Sequence, residues 1–123
     1  MTRDALVWLK RPIAHRGLHD ISAGIVENTT SAFHAAIAGN YGVETDLQIS
    51  ADGDAMVYHD DTLDRLTDGK GRLDALTAAE LTRLPFKATA DRMLTLAELC
   101  ELVAGRATLV VELQSQLDRA LAQ

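Results

Sequence analysis

Hydrophobic and polar positions alternate along residues 41–48 in the way expected of a β-strand. The positions on one side are Val43, Thr45 and Leu47, and those on the other side are Glu44, Asp46 and Gln48. Shorter apolar runs predict two more strands, at residues 12–15 and 55–58. The run TLVVEL at residues 108–113 predicts a fourth strand, and its nearly continuous hydrophobicity is typical of strands buried on both faces.

Helical spacing of apolar positions separates these strands. The segment ENTTS at residues 27–31 supplies N-cap candidates, apolar residues follow at helical spacing, and Gly39 is the expected stop. Two capping boxes, TAAE at 77–80 and TLAE at 95–98, predict two further helix starts. The second of these helices is expected to run to about Val103, and the polar stretch 114–123 predicts a weak final helix.

The order of strands and helices predicts an α/β fold with parallel strands. A length of 123 residues corresponds to a single domain covering residues 1–123. A (β/α)₈ barrel takes typically about 250 residues, and this chain supplies roughly three barrel strands. The pattern therefore leaves two architectures open, a small open α/β domain or the first half of a barrel.

Composition narrows the class of protein. The net charge of −6 argues against nucleic acid as a partner, because binding nucleic acid needs a concentrated basic face. The longest apolar stretch near the N-terminus, residues 5–9, is too short for a signal peptide or a membrane span. The single cysteine, Cys100, excludes an internal disulfide, and its apolar helical context predicts a buried thiol. Together these features indicate a cytoplasmic protein.

Glu44 and Asp46 are the first candidates for chemistry. They are two positions apart on a strand, so their carboxylates share a face, with Cα atoms roughly 6–7 Å apart. Two buried carboxylates are costly without a partner, and a divalent cation such as Mg²⁺ or Ca²⁺ suits their oxygen ligands. The alternative is a solvated strand face on which the acids have no ligand.

Glu112 adds a third acid near the C-terminal end of the last strand. Ligands in α/β folds bind at the C-terminal ends of strands, which favours Glu112 as a third metal ligand. A surface glutamate at a strand end is the alternative.

His15 and His59 each end a short strand, where an imidazole can act as a general acid or base. A structural role is the alternative for each. The planar guanidinium of Arg16 suits a phosphate group. This set of groups fits phosphoryl-ester cleavage, and the chain contains neither a P-loop nor a GxSxG motif.

Four segments resemble, in order and spacing, the glycerophosphodiester phosphodiesterase family. They are IAHRG, ENTTSAF, VETDLQISADGDAMVYHDDTLDR and LTLAELCELV followed by TLVVELQS, within residues 11–115. The resemblance implies a TIM-type barrel with a divalent metal at its C-terminal mouth, of which this chain holds about the first three strands. It also implies cleavage of a small glycerophosphodiester to glycerol 3-phosphate and an alcohol.

The resemblance further implies a role for each matching position. The metal ligands would be Glu44, Asp46 and Glu112, the acid/base pair His15 and His59, the phosphate ligand Arg16, and a residue of the site wall Glu27.

Two departures from the family pattern keep a second function open. Gln114 occupies a substrate-binding position at which family members usually carry lysine, and the later strands are missing. The alternative is a non-catalytic remnant that acts as a binding or interaction module. Because a half-barrel leaves the edge of TLVVEL unpaired, self-association or binding to a complementing C-terminal half is expected.

Overall fold

The computed structural model describes residues 12–114, and this range holds four β-strands and three α-helices. The strands are β1 (Ile13–His15), β2 (Gly42–Ile49), β3 (Ala55–Val57) and β4 (Leu109–Leu113). The helices are α1 (Thr30–Ala38), α2 (Ala78–Arg83) and α3 (Leu96–Val103). Apart from Gln114, the weak helix predicted over 114–123 lies outside the described residues. No helix of residues 12–114 is long and apolar enough to cross a membrane.

The four strands form one open sheet around β2. Both β1 and β4 run parallel to β2, and they pair with overlapping residues of it, so they lie on its two opposite edges. In the register, His15 is opposite Glu44, and Glu112 is opposite Asp46. The predicted α/β class with parallel strands is confirmed for these pairs.

The strand β3 does not follow the predicted parallel arrangement, because it pairs antiparallel with the end of β2. A tight turn causes this reversal, with hydrogen bonds from Ser50 N–H to Asp54 C=O and from Gly53 N–H to Ser50 C=O. A parallel neighbour would need a crossover of a dozen or more residues, and the five residues between β2 and β3 are too few.

The prediction that the TLVVEL strand is buried on both faces is wrong for the described residues. Val110 is 43% exposed and Val111, on the opposite face, is 40% exposed. The reason is that β4 pairs only with β2 within residues 12–114, so nothing in that range covers its outer side. The sequence of a strand shows how hydrophobic each of its faces is, but it does not show whether another element packs on that face.

Both faces of β2 are buried, and one carries apolar side chains whereas the other carries polar and charged ones. Val43 and Leu47 pack into an apolar core with Phe33 of α1 and Leu99 of α3. On the other face, Glu44, Asp46 and Gln48 are also buried. The alternative of a solvated strand face is therefore wrong, and this face carries buried charge.

The capping signals locate the helices. The capping boxes at Thr77–Glu80 and Thr95–Glu98 both form, as predicted. At the start of α1, the carboxylate of Asp91 accepts a hydrogen bond from the backbone N–H of Ser31. Cys100 is exposed rather than buried, because the buried face of α3 is set by Leu99 and Val103, four positions apart.

Candidate metal and phosphate site

The three predicted acids come together at one place on the sheet. One carboxylate oxygen from each of Glu44, Asp46 and Glu112 lies within 4.8 Å of the others. The strand register explains this, since Glu44 and Asp46 share a face of β2 and Glu112 is the partner of Asp46 on β4. Glu112 is exposed whereas the other two are buried, so the cluster opens to solvent on the β4 side.

Glu44 shows the electrostatic cost of this cluster. Both of its carboxylate oxygens are buried and make no hydrogen bond, and the exposed His15 imidazole is the basic group that lies nearest to Oε2. Burial raises the pKa of Glu44, and the nearby charge of Asp46 raises it further. A buried carboxylate in this condition is stabilised by a cation, because the cation replaces the lost hydration. The donor set therefore fits a hard divalent ion such as Mg²⁺ or Ca²⁺.

Asp46 is held by side chains from three parts of the chain. Asn28 donates a hydrogen bond from Nδ2 to Oδ2 at 3.1 Å, and Gln114 donates one from Nε2 to Oδ1 at 2.8 Å. Arg16 Nε lies 3.2 Å from Oδ2. Outer-shell partners of this kind fix the orientation of a metal-binding carboxylate.

Arg16 and Asn28 reach Asp46 from an unusual backbone conformation. Arg16 has φ 59° and Asn28 has φ 57°, both in the left-handed region. A hydrogen bond from Asn28 N–H to Arg16 C=O at 2.8 Å ties the two together. Gly17 follows with φ 78°, and a Cβ there would come within 2.8 Å of Ala32. Such strain persists only where the surroundings enforce it, and it is common at functional sites.

The two predicted histidines contact different carboxylates. His15 Nε2 is 3.1 Å from Glu44 Oε2, and its side chain is exposed. His59 Nδ1 is 2.8 Å from Asp60 Oδ1. Gln48 donates a hydrogen bond from Nε2 to the His59 backbone carbonyl at 2.9 Å, which links this turn to β2.

Glu27 is paired with two arginines. Its Oε2 accepts hydrogen bonds at 3.0 Å from Arg16 Nη1 and from Arg65 Nη2. Burial raises the pKa of Glu27, but the hydrogen bonds and charges of the arginines outweigh it, so the net pKa lies below the ordinary value. The pKa of Asp60 is lowered in the same way, with Arg65 and His59 opposing its burial. Both carboxylates are therefore ionised at neutral pH.

A cavity of about 270 Å³ borders the Glu27–Arg65 pair. Its remaining lining residues are His19, Ile21, Ile25, Val26 and Leu66. The cavity provides space beside the carboxylate that contacts Arg16.

Sequence reasoning missed Asn28, Asp60 and Arg65 as members of this region. Asn28 and Asp60 directly follow Glu27 and His59, so adjacency was an available signal for both. Arg65 lies in a polar loop with no periodicity, and nothing in its spacing indicates that it contacts Glu27, 38 residues earlier in the chain.

Comparison with known proteins shows the family of this chain. Residues 15–118 match the glycerophosphoryl diester phosphodiesterase family. A glycerophosphodiester phosphodiesterase of Caldanaerobacter subterraneus is 38% identical over 111 residues, which cover 84% of this chain and 44% of that protein. Glycerophosphodiester phosphodiesterase 1 of Bos taurus is 49% identical over 74 residues, covering 58% of this chain and 21% of that protein.

Two solved structures show the same fold. A phosphodiesterase of Oleispira antarctica, in complex with the product sn-glycerol-3-phosphate, aligns with TM-score 0.75 and 34% identity over 89% of this chain and 47% of that one. A glycerophosphodiester phosphodiesterase of Agrobacterium tumefaciens aligns with TM-score 0.75 and 28% identity over 91% and 53%. The chain spans about half the length of these relatives or less. It is a member of the glycerophosphoryl diester phosphodiesterase family, and its open α/β sheet matches about half of the barrel structures of that family.

Proposed function

We propose that this chain carries the metal and phosphate site of a phosphodiester hydrolase that cleaves glycerophosphodiesters to glycerol 3-phosphate and an alcohol. The observation that supports this most is the convergence of Glu44, Asp46 and Glu112, with Arg16 in contact with Asp46. Carboxylates bind a cation and a guanidinium binds an anion. The two side by side therefore suit an anionic substrate that also contacts the bound cation.

The metal ligands in this proposal are Glu44, Asp46 and Glu112. The buried oxygens of Glu44, which make no hydrogen bond, support a cation at this place. A divalent ion bound here would neutralise charge on the non-bridging phosphoryl oxygens of the substrate.

Arg16 and Gln114 bind the phosphate in this proposal. Arg16 directs Nη1 to Glu27 and Nε to Asp46, and its remaining N–H groups are donors for an anion. The Gln114 amide has two hydrogens, of which one is donated to Asp46. The second is a donor for a phosphoryl oxygen, although it adds no positive charge where lysine would.

His15 and His59 move the protons. One imidazole accepts the proton of the attacking group as its oxygen bonds to phosphorus; that group is water or the hydroxyl on the neighbouring glycerol carbon, and in the second case water then opens the resulting cyclic phosphate to glycerol 3-phosphate. The other returns a proton to the oxygen of the departing alcohol as the phosphorus–oxygen bond breaks. General acid–base help of this kind is worth typically 10²–10⁴-fold in rate.

We further propose that the chain is the N-terminal part of one barrel domain of this family. A second candidate function is a non-catalytic binding or interaction module. It is favoured by the exposed apolar side chains of β4, Val110, Val111 and Leu113.

Hydrolysis of glycerophosphocholine by the purified chain tests the two candidates against each other. We expect release of glycerol 3-phosphate with Mg²⁺ or Ca²⁺, none with chelator, and none from Glu44→Gln. The exposed Glu101 of α3 provides a matched control, and Glu101→Gln should retain the parental rate. A folded chain that releases no product with either metal would contradict the hydrolase proposal and favour the binding module.

A further inference from the structure

Arg65 lies outside the predicted site, yet its guanidinium connects two carboxylates there. It donates hydrogen bonds to Asp60, from Nε to Oδ2 at 2.8 Å and from Nη2 to Oδ1 at 3.1 Å. It also donates to Glu27, from Nη1 to Oε1 at 2.9 Å and from Nη2 to Oε2 at 3.0 Å. A planar guanidinium that binds two carboxylates through two bonds each fixes their relative orientation.

Each of these carboxylates also contacts a group with a proposed chemical role. Asp60 Oδ1 lies 2.8 Å from His59 Nδ1, and Glu27 Oε2 lies 3.0 Å from Arg16 Nη1. Because ionised Asp60 can only accept, the proton of the neutral imidazole is on Nδ1 and Nε2 is left free to accept a proton. A continuous chain of contacts therefore runs from His59 through Asp60, Arg65 and Glu27 to Arg16.

Arg65 also affects how much of the positive charge of Arg16 is neutralised within this series of contacts. Arg65 contacts Glu27 and Asp60, and Arg16 contacts Glu27 and, through Nε, Asp46. Without Arg65, Glu27 would be paired with Arg16 alone, and more of the positive charge of Arg16 would be neutralised inside the protein. Less of that charge would then be available to a phosphate.

We propose that Arg65 is a positioning residue that holds His59 in its Nδ1-protonated tautomer and keeps Arg16 available to the phosphate. This inference rests on the function proposed above, because it assigns roles to His59 and Arg16 in that reaction. Arg65 itself acts through Asp60 and Glu27, without contact with the substrate.

The test compares Arg65→Gln, Arg65→Lys and a matched control. Arg72→Gln is the control, because Arg72 makes an equivalent two-bond pair with Asp74 on the surface of the same loop region. For glycerophosphocholine hydrolysis with metal, we expect Arg65→Gln to lower kcat by about tenfold or more and to raise KM. Arg65→Lys should fall between parent and Arg65→Gln, because an ammonium keeps the charge and loses the paired geometry. Arg72→Gln should match the parent.

A second measurement does not depend on activity. The ¹⁵N chemical shifts of the His59 ring report its tautomer directly, and we expect the Nδ1–H form in the parent chain and a mixture of tautomers in Arg65→Gln. If the parent chain hydrolyses no substrate, the proposed function fails while this measurement still tests the positioning role. An unchanged His59 tautomer in a folded Arg65→Gln chain would overturn the inference. If Arg65→Gln does not fold, the same measurement on Arg65→Lys decides it.

Discussion

Asp46 accepts hydrogen bonds from residues that are far apart in sequence. Asn28 precedes it by 18 positions and Gln114 follows it by 68, yet both donate to the same carboxylate. Both oxygens of Asp46 are thereby oriented before any cation arrives. The same carboxylate lies next to Glu44, whose oxygens make no hydrogen bond and whose nearest basic group is the exposed imidazole of His15, so the two acids differ in electrostatic state despite sharing a strand face.

Replacing Gln114 tests how much the missing positive charge matters. We expect Gln114→Lys to raise the turnover of glycerophosphocholine, because an ammonium near a phosphoryl oxygen stabilises developing negative charge. The comparison variant Gln114→Met removes both amide hydrogens and should lower turnover. Steady-state assays with saturating metal measure both effects. A lysine variant no faster than the parent would contradict this prediction.

The lowered pKa values of Glu27 and Asp60 predict that the stability of the fold depends on pH. The pKa of each is lowered in the folded chain, so each stabilises the fold at neutral pH and loses that contribution as pH falls through its folded pKa. Glu44 acts in the opposite sense, because its pKa is raised and its protonation relieves repulsion within the acid cluster.

Thermal melts in chelator over a pH series measure this balance. We expect the parent midpoint to drop as pH falls below the ordinary carboxyl pKa of about 4. The variant Glu27→Gln should start from a lower midpoint at neutral pH and show a shallower decline. An equally steep decline in that variant would show that Glu27 is not a source of the pH dependence.

At the scale of elements, α3 connects a local signal to the core beneath the site. The Thr95 side chain accepts a hydrogen bond from Glu98 N–H, and Glu98 in turn accepts one from Thr95 N–H. The helix held in this way carries Leu99 and Val103 into the core with Val43 of β2. Its capping therefore supports the strand that bears Glu44 and Asp46.

Removal of this cap should weaken the whole fold. We expect Thr95→Ala to lower the free energy of unfolding by about 1 kcal/mol, the typical cost of losing a threonine N-cap. Thr95→Ser retains the hydroxyl and should stay close to the parent. Urea denaturation followed by circular dichroism measures both variants. Equal midpoints for Thr95→Ala and the parent would mean that the capping box does not contribute to stability.

At the scale of the whole molecule, buried acidic charge and an exposed apolar strand coexist in one sheet. The acid cluster is formed where β2 meets β4. The same strand β4 presents Val110 on the face of Glu112 and Val111 on the opposite face. A bound cation would reduce the repulsion among the acids, and another polypeptide would cover the apolar surface of β4.

A divalent cation should stabilise the chain. A ligand present at 100 times its dissociation constant adds about 2.7 kcal/mol to the free energy of unfolding. We therefore expect a higher melting midpoint with millimolar Mg²⁺ or Ca²⁺ than with chelator. Glu112→Gln should reduce this difference, and Glu101→Gln should leave it intact. Identical midpoints with metal and with chelator would falsify a metal site shared by Glu44, Asp46 and Glu112.

The exposed β4 strand predicts self-association of the isolated chain. Apolar surface in water costs roughly 25 cal/mol per Å², and pairing with a second copy or with a complementing C-terminal half would bury it. Light scattering over a dilution series should give a mass above 13.3 kDa that falls on dilution. The variant Val111→Lys should shift the population toward monomer.

Ile21 provides the control for this experiment. It is more exposed than Val111 and belongs to a short 3₁₀ helix rather than to a strand, so Ile21→Lys should leave the association unchanged. A monomer at every concentration that hydrolyses glycerophosphodiesters unaided would show that β4 needs no covering partner.

The sequence by itself determined the local features of this protein. Strand alternation placed Glu44 and Asp46 on one face, and the capping boxes located α2 and α3, because these patterns depend on neighbours only a few residues apart. The family followed from motifs whose order along the chain is itself sequence information. The proximity of Glu112 to the other acids was expected from its position at a strand end.

Only the tertiary structure decided which distant groups meet and which faces are covered. The pairing of Arg65 with Glu27 and Asp60, the donors on Asp46 and the exposure of β4 could not be obtained from local patterns. Each depends on packing between segments far apart in sequence, whose relative position is set by the whole fold. A side chain's type and spacing specify what it can bind, whereas the fold determines which partner lies within reach.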